Sequence, residues 1–303
     1  MAISRSQLVK ELEPGLNALF GLEYQKYENE HAEIFNQESS DRAFEEEVML
    51  TGFGNAPVKQ EGAAVTFDSA NEAYTARYSH ETVALAFSIT EEAVEDNLYD
   101  RLSARYTKAL ARSMAHTKQI KAAKVLNNAF TGGASAGGDG VSLVNTAHPT
   151  TGGGSFSNRN ATDADLNETS LEQAMIDISQ FIDERGLKIA VQARKMIVPP
   201  QLMFVADRIL NSTLRTGTSD NDINALVNMS MLPEGYRVNH YLTDTDAYFV
   251  MTDAPNGFKH FVRTPLATAM EGDFDTGNVR YKARERYSFG FSDPRCVYGS
   301  QGS

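Results

Sequence analysis

From Glu91 to Phe130 the chain carries no proline and no glycine, and nothing else in the sequence limits the fold so tightly. Val94, Leu98, Leu102, Tyr106, Leu110 and Met114 recur every four residues and draw one apolar stripe along a helix. Ser88-Ile89-Thr90-Glu91 has the pattern of a capping box, and Glu91, Glu92, Glu95 and Asp96 suit the positive end of a helix. Lys118, Lys121 and Lys124 suit the negative end, and Gly132-Gly133 stops the run. Unbroken, such a helix is roughly 60 Å long, about twice the width of a small domain. Part of its stripe therefore needs cover from elsewhere.

The segment that follows, TGGASAGGDGVSLVNTAHPTTGGG over Thr131–Gly154, is the one place where chemistry suggests itself. Gly133-Ala134-Ser135-Ala136-Gly137 matches the G-x-S-x-G nucleophile elbow. That elbow needs a strand before the serine and a helix after it. Here a helix precedes and glycine-rich coil follows, so Ser135 reads as a spacer. A phosphate loop would need a Gly-Lys-Ser/Thr ending, which is missing. His148 precedes Pro149, which biases it to extended backbone, and it reads as a structural loop anchor. His31, His80, His116, His240 and His260 show no metal-ligand spacing, so neither metal nor cofactor is expected. A serine hydrolase using Ser135 and His148 is the enzymatic alternative; the reading adopted is a non-enzyme.

On either side of the helix the pattern changes. Gln7–Phe20 is modestly amphipathic through Leu8, Leu12, Leu16 and Leu19. Glu23–Glu46 is polar with scattered aromatics, too poor in apolar residues for a core of its own, and reads as an extended arm that borrows its packing. Ala64–Phe67 and Ala73–Tyr78 are short candidate strands. Glu81–Ile89 alternates, with Val83, Leu85, Phe87 and Ile89 on one face. Together they suggest a long hairpin excursion. After the glycine segment, Ser170-Leu171-Glu172-Gln173 looks like the cap of a second helix that Gly186 ends. Met196–Val198 is a buried strand, and Pro199-Pro200 opens a short helix over Leu202–Leu210. Tyr236–Tyr241 and Ala247–Thr252 read as strands joined by a polar turn, and Gly257–Val262 as another. Val279–Phe291 alternates over its whole length, with Arg280, Lys282, Arg284 and Arg286 on one face. The order is α+β, without the regular alternation of a doubly wound sheet.

Composition sharpens this. The 303 residues include 28 Lys and Arg against 40 Asp and Glu, a net charge of −12. That balance opposes wrapping nucleic acid directly, so the basic face is read as pairing with acidic surface on another copy. The single cysteine, Cys296, excludes an intrachain disulfide and reads as a small buried hydrophobe. No run approaches a membrane span, and the N-terminal residues lack a signal peptide's apolar core, so a cytosolic chain with no membrane partner is expected.

Four features carry a family resemblance. They are Gly138-Asp139-Gly140-Val141-Ser142-Leu143-Val144-Asn145-Thr146-Ala147-His148-Pro149 with Ser157-Asn158 soon after; Met196-Ile197-Val198-Pro199-Pro200-Gln201-Leu202; Tyr287-Ser288-Phe289-Gly290-Phe291-Ser292-Asp293-Pro294-Arg295 with Val297-Tyr298-Gly299; and the order arm, hairpin, long helix, central α/β unit, final β. Over essentially its whole length the chain resembles the major capsid proteins of tailed bacteriophages with the Hong Kong 97 fold, most of all the branch of the Mu-type major head subunit. The resemblance implies an N-terminal arm (1–50), an extended loop (51–89), a peripheral domain with the spine helix (90–166), an axial domain (167–264) and a return to the peripheral domain (265–303). It implies hexamers and pentamers of an icosahedral shell around double-stranded DNA, bound without sequence specificity, assembled in the bacterial cytoplasm. Its implied partners are further copies, a portal protein, a separate scaffolding protein and, optionally, a decoration protein. The candidate interface residues are then Tyr24, Tyr27 and Phe35 of the arm, and Lys59, Tyr74 and Tyr78 of the extended loop. Asp220, Asn221 and Asn224 of an axial loop and Arg280, Lys282, Arg284 and Arg286 of the last long strand complete the set. Lys59 matches no cross-linking site, so no covalent cross-link is expected. A cellular nanocompartment shell of the same fold is the nearest alternative.

Overall fold

The computed structural model describes residues 5–90, 92, 99–133, 136–215, 222–273 and 277–303, with side chains described from Gly15 in the first helix and Ser103 in the second. In chain order the elements are α1 (Arg5–Gln25), β1 (Asn36–Ser39), β2 (Phe44–Leu50), β3 (Glu72–Ser79), β4 (Glu81–Ile89), α2 (Tyr99–Asn127), β5 (His148–Pro149), β6 (Ser155–Phe156), α3 (Glu168–Ser179), β7 (Ala193–Val198), α4 (Met203–Asn211), α5 (Ala225–Asn228), β8 (Tyr236–Val238), β9 (Tyr248–Thr252), β10 (Phe258–Gly272), β11 (Val279–Phe291) and β12 (Val297–Ser300). The chain divides into two compact units.

The first unit takes Met1–Phe44, Ser79–Ala122 and His260–Phe289. Its sheet has the order β1-β10-β11-β4. β11 and β4 run antiparallel with Arg280 opposite Ser88, Lys282 opposite Ala86, Arg284 opposite Ala84 and Arg286 opposite Thr82. Period two then sorts the faces. Tyr281, Ala283 and Tyr287 turn inward, where Leu16 and Phe20 of α1 and Leu110, Ala111 and Met114 of α2 meet Tyr281 and Ala283. The amphipathic N-terminal stretch is thus a packed helix. Leu16 and Phe20 stand four apart and supply one sticky stripe. Ile34 and Phe35 are buried as well. The stripe expected on α2 is buried at Leu110 and Met114 but not at Tyr106, which is 50% exposed with its ring leaning on Phe87 at 5.8 Å, while Thr107 beside it is buried. Leu85, expected inward, is 46% exposed. Ser88 is still in β4, so it caps no helix; Glu91, Val94, Glu95, Asp96 and Leu98 lie outside the described residues.

The second unit takes Glu45–Tyr78, Ala123–Lys259 and Gly290–Ser303. Its sheet has the order β12-β9-β7-β8. Leu171, Ala174, Met175 and Ile178 of α3 pack on Met196, Val198, Tyr248 and Val250, with Ala206 and Ile209 of α4 and Tyr298 of β12 closing the same core. The cap of α3 is Asn167, whose side chain accepts from Ser170 N while Ser170 Oγ accepts from Asn167 N. The expected cap at Ser170 is therefore the third residue of the helix. The helix ends at Ser179, well before Gly186.

Four further expectations are corrected. Ala64–Phe67 forms no strand. The hairpin excursion is built otherwise than from the three candidate strands: β3 pairs with β2, and the single residue His80 between β3 and β4 leaves no room for even a two-residue turn. β8 and β9 are not a hairpin, since β7 lies between them. The strand expected to end at Val262 continues to Gly272.

Candidate functional site

The described residues hold no group of three or more His, Cys, Asp and Glu suited to a metal ion. No described helix is long and apolar enough to cross a membrane. What the chain offers is surface, and the sequence-predicted interface residues do not gather in one place.

The most exposed apolar surface lies in the second unit, between β2 and β3. There Phe53, Val58, Val65 and Phe67 are 63%, 95%, 66% and 94% exposed, and Lys59 is exposed beside them. Water-facing side chains of this size cost a monomer the burial that would stabilise them. The segment is nevertheless held, at its neck by Thr51 and Asn71 and further out by Asp68. Asp68 accepts from Gly54 N at 2.8 Å and from Ser69 N at 2.8 Å, and Arg185 Nη2 donates to its two oxygens at 2.8 and 2.9 Å. The Gly54 amide first, then Ser69 and Arg185, hold the Asp68 carboxyl below the usual carboxylate range. At the base of the ribbon Tyr74 Oη donates to Pro149 O at 3.1 Å, and Glu47 accepts from Lys259 and from Ser292, which also bonds Tyr78. Tyr78 is 3% exposed, so this chain already uses its ring.

In the first unit the outward face of β11 carries Arg280, Lys282, Arg284 and Arg286, and its neighbour β4 offers only Thr82, Ala84, Ala86 and Ser88 opposite them. The acids of the two strands go the other way. Glu285 accepts from Lys118 at 3.1 Å and Glu81 pairs with Lys121, both lysines standing on α2. Arg280 pairs with Asp273; no ion pair among the described residues neutralises Lys282 or Arg284. The arm aromatics behave differently from one another. Tyr24 stacks on Phe20 at 6.0 Å, and burial pushes its phenol up. Tyr27 stays half-buried. Phe35 is 4% exposed and meets Phe289 at 5.0 Å, which removes it from any free surface.

Asn224 is spent locally too. Its Oδ1 accepts from Leu226 N and Val227 N at the start of α5, and its Nδ2 donates to Ile209 O and Ser212 O. Asp220 and Asn221 lie outside the described residues, as does Ser135.

His148 is fully buried. Its Nδ1 meets Asp139 Oδ2 at 2.6 Å, its Nε2 meets Asn158 Oδ1 at 3.1 Å, and its ring stacks on Phe156 at 4.8 Å. Asn158 is the larger organiser. Its Nδ2 donates to Leu143 O at 2.8 Å, Pro294 O at 2.9 Å and Val297 O at 3.1 Å, and its Oδ1 accepts from Asn145 N at 2.8 Å. A nucleophile has no access to this imidazole, because both ring nitrogens are occupied. Nearby, Arg295 is 3% exposed. It donates to Glu184 at 2.8 Å, to Asp293 at 3.2 Å and to Ile182 O at 2.7 Å, with its guanidinium 4.2 Å from the Phe156 ring centre. Burial pushes the Asp293 carboxyl up even so, outweighing the Arg295 charge. Sequence reasoning used Asn158 and Arg295 as family markers and missed what they do. Their signal was polar residues inside otherwise apolar or turn segments.

The sequence model of a family described as phage capsid protein matches residues 73–300. Among solved structures, the chain is similar to the virus-like particle from Pyrococcus furiosus, at 10% identity and TM-score 0.54, covering 95% of this chain and 98% of that one. It is similar to the capsid of Myoviridae phage XM1, at 12% identity and TM-score 0.52, covering 89% of each. It is also similar to the capsid of an empty GTA particle, at 13% identity and TM-score 0.56, covering 90% and 89%. No curated protein matches by sequence.

Proposed function

The chain belongs to the phage capsid protein family and carries the Hong Kong 97-type fold, and from that premise we propose that it is the major head subunit of a tailed phage of the Mu-type branch. Its work is structural. Copies join through many weak heterologous contacts into hexamers and pentamers, and these close into an icosahedral shell around double-stranded DNA. The observation that carries this is the segment between β2 and β3, where Phe53, Val58, Val65 and Phe67 are left in water by their own chain. Seating them on a neighbour supplies the burial that the monomer lacks. Lys282 and Arg284 of β11, which have no ion pair among the described residues, pair with the acidic surface of another copy, in keeping with the net charge of −12. His148 anchors the 139–158 loop. A portal protein, a separate scaffolding protein and a decoration protein are the further partners in this reading, and assembly takes place in the host cytoplasm.

A cellular nanocompartment is the second reading, favoured by the likeness to the Pyrococcus furiosus particle over nearly the whole of both chains. Electron microscopy of the purified chain with a nucleic-acid assay decides. Closed shells that fill with double-stranded DNA when packaging components are supplied support the phage head. Shells that enclose protein cargo and no nucleic acid support the compartment. A monodisperse monomer under all conditions defeats both.

A further inference from the structure

Two histidines far apart in sequence meet in the interior of the first unit. His31 stands in the 3-10 turn Glu30–Glu33 and His260 in β10. Their rings sit edge to face at 5.4 Å; His260 also lies flat on Phe289 at 4.2 Å, and His31 meets the same Phe289 edge-on at 5.7 Å. They are 6% and 1% exposed. Among the described residues neither His31 Nδ1 nor His260 Nε2 has a hydrogen-bond partner, and the same holds for Tyr287 Oη and Glu285 Oε1 beside them. An unpaired polar atom without water is costly, and a second proton on either ring would add a charge to that cost.

We propose that this ring pair is an acid-operated release for the segment Glu30–Ser39: when the two imidazoles take up protons, the turn and β1 leave the sheet. The surroundings give a new cation little help. Lys118 of α2 sits 5.2 Å over the Tyr287 ring and already holds Glu285 of β11 at 3.1 Å. Glu81 of β4 is taken by Lys121. Gln119 of α2 accepts from His31 N and donates to Glu28 O. From α1 comes Tyr24, whose phenol burial keeps neutral. Glu285 Oε1, which has no hydrogen-bond partner among the described residues, belongs to a group already engaged with a lysine, and Glu30 and Glu33 share the turn with His31. Leaving the sheet returns His31 to water and uncovers His260.

The sign follows from linkage. A released imidazole takes its proton near pH 6.5. Inside the cluster, burial first and the Lys118 charge second hold His31 at about 4 and His260 at about 3. The packed segment is fully favoured above pH 6.5 and loses ground as pH falls below it, because the released form binds two protons that the packed form does not. From pH 7 to pH 5 the two rings together shift the release equilibrium by about 500-fold. Glu285 works in the opposite sense, since burial pushes its carboxyl up and the packed form takes that proton more readily.

The test is hydrogen–deuterium exchange of peptides covering residues 30–40 in the full chain at pH 7 and pH 5, corrected for intrinsic exchange. A His31→Phe/His260→Phe variant keeps the ring packing and Glu285 but cannot take the protons. Protection of these amides should fall about 500-fold more in the native sequence than in the variant, while α3 peptides change alike in both. An equal fall in both proteins, or none in either, overturns the proposal. An NMR titration of the two imidazoles in the native sequence covers the case of a variant that does not fold. Midpoints well below 6.5 support the release, and midpoints near 6.5 overturn it. The outcome is independent of whether the chain builds shells.

Discussion

Phe67 is the sharpest single probe of assembly. It is 94% exposed in the subunit, so its own chain gains almost nothing from the ring. If a neighbour buries it, the ring contributes about 1.5–3 kcal/mol for each copy. Phe67→Ala keeps a methyl group, which leaves a loss of about 2 kcal/mol per subunit. At about 1.4 kcal/mol per factor of ten, the subunit concentration at which shells first appear should rise about 30-fold. The stability of the isolated subunit should stay within about 0.5 kcal/mol, as for other exposed positions. Light scattering against concentration reads the first quantity, and urea unfolding of unassembled subunit reads the second. An unchanged assembly threshold would refute the reasoning. So would a variant that unfolds much more easily, because the ring would then be packing within its own chain.

Other substitutions test the interior. Glu285→Ala strands Lys118 over Tyr287 and should cost about 3 kcal/mol in urea unfolding, whereas Lys118→Met with Glu285→Leu should recover most of it. Asn158→Leu removes the donor to three carbonyls and should cost about 3 kcal/mol; a loss below 1 kcal/mol, by the same measurement, would mean water replaces it freely. Gly257→Ala places a methyl group 2.5 Å from Cys296 Cβ and should cost about 1–3 kcal/mol by the same assay. Cys296 itself is buried with its thiol pushed well up, so iodoacetamide at pH 8 should label it only after unfolding, as read by mass spectrometry.

How much of this was legible depended on whether the cause was local. β11 could be read residue by residue from Val279 to Tyr287, because its two faces alternate over that span. What the alternation could not say was why Glu285 stands among Tyr281, Ala283 and Tyr287. The reason is Lys118 on α2, 167 positions away in sequence. The stripe on α2 held at Leu110 and Met114 but failed at Tyr106, which counts as apolar in any periodicity, while the buried residue there is Thr107. The β2–β3 ribbon was missed because its first strand, Phe44–Leu50, sits in the polar stretch read as arm, while Ala64–Phe67 looked like the strand beside Ala73–Tyr78. The candidate interface was legible as a set of residue types but not as a surface. Phe35, Tyr78 and Asn224 look like contacts available to a neighbour, and each is consumed at home by partners that sequence spacing does not reveal.

The position of Asn158 has a consequence for the timing of synthesis. Two of the carbonyls it holds, those of Pro294 and Val297, come 136 and 139 residues later in the chain. β12, from the same late stretch, is the strand that completes the sheet beside β9. A ribosome must therefore translate almost to residue 300 before this unit can close, and nascent chains remain open until then. Until that late stretch arrives, Asn158 has only the Leu143 carbonyl of its three, so the loop it organises becomes rigid at the very end of synthesis.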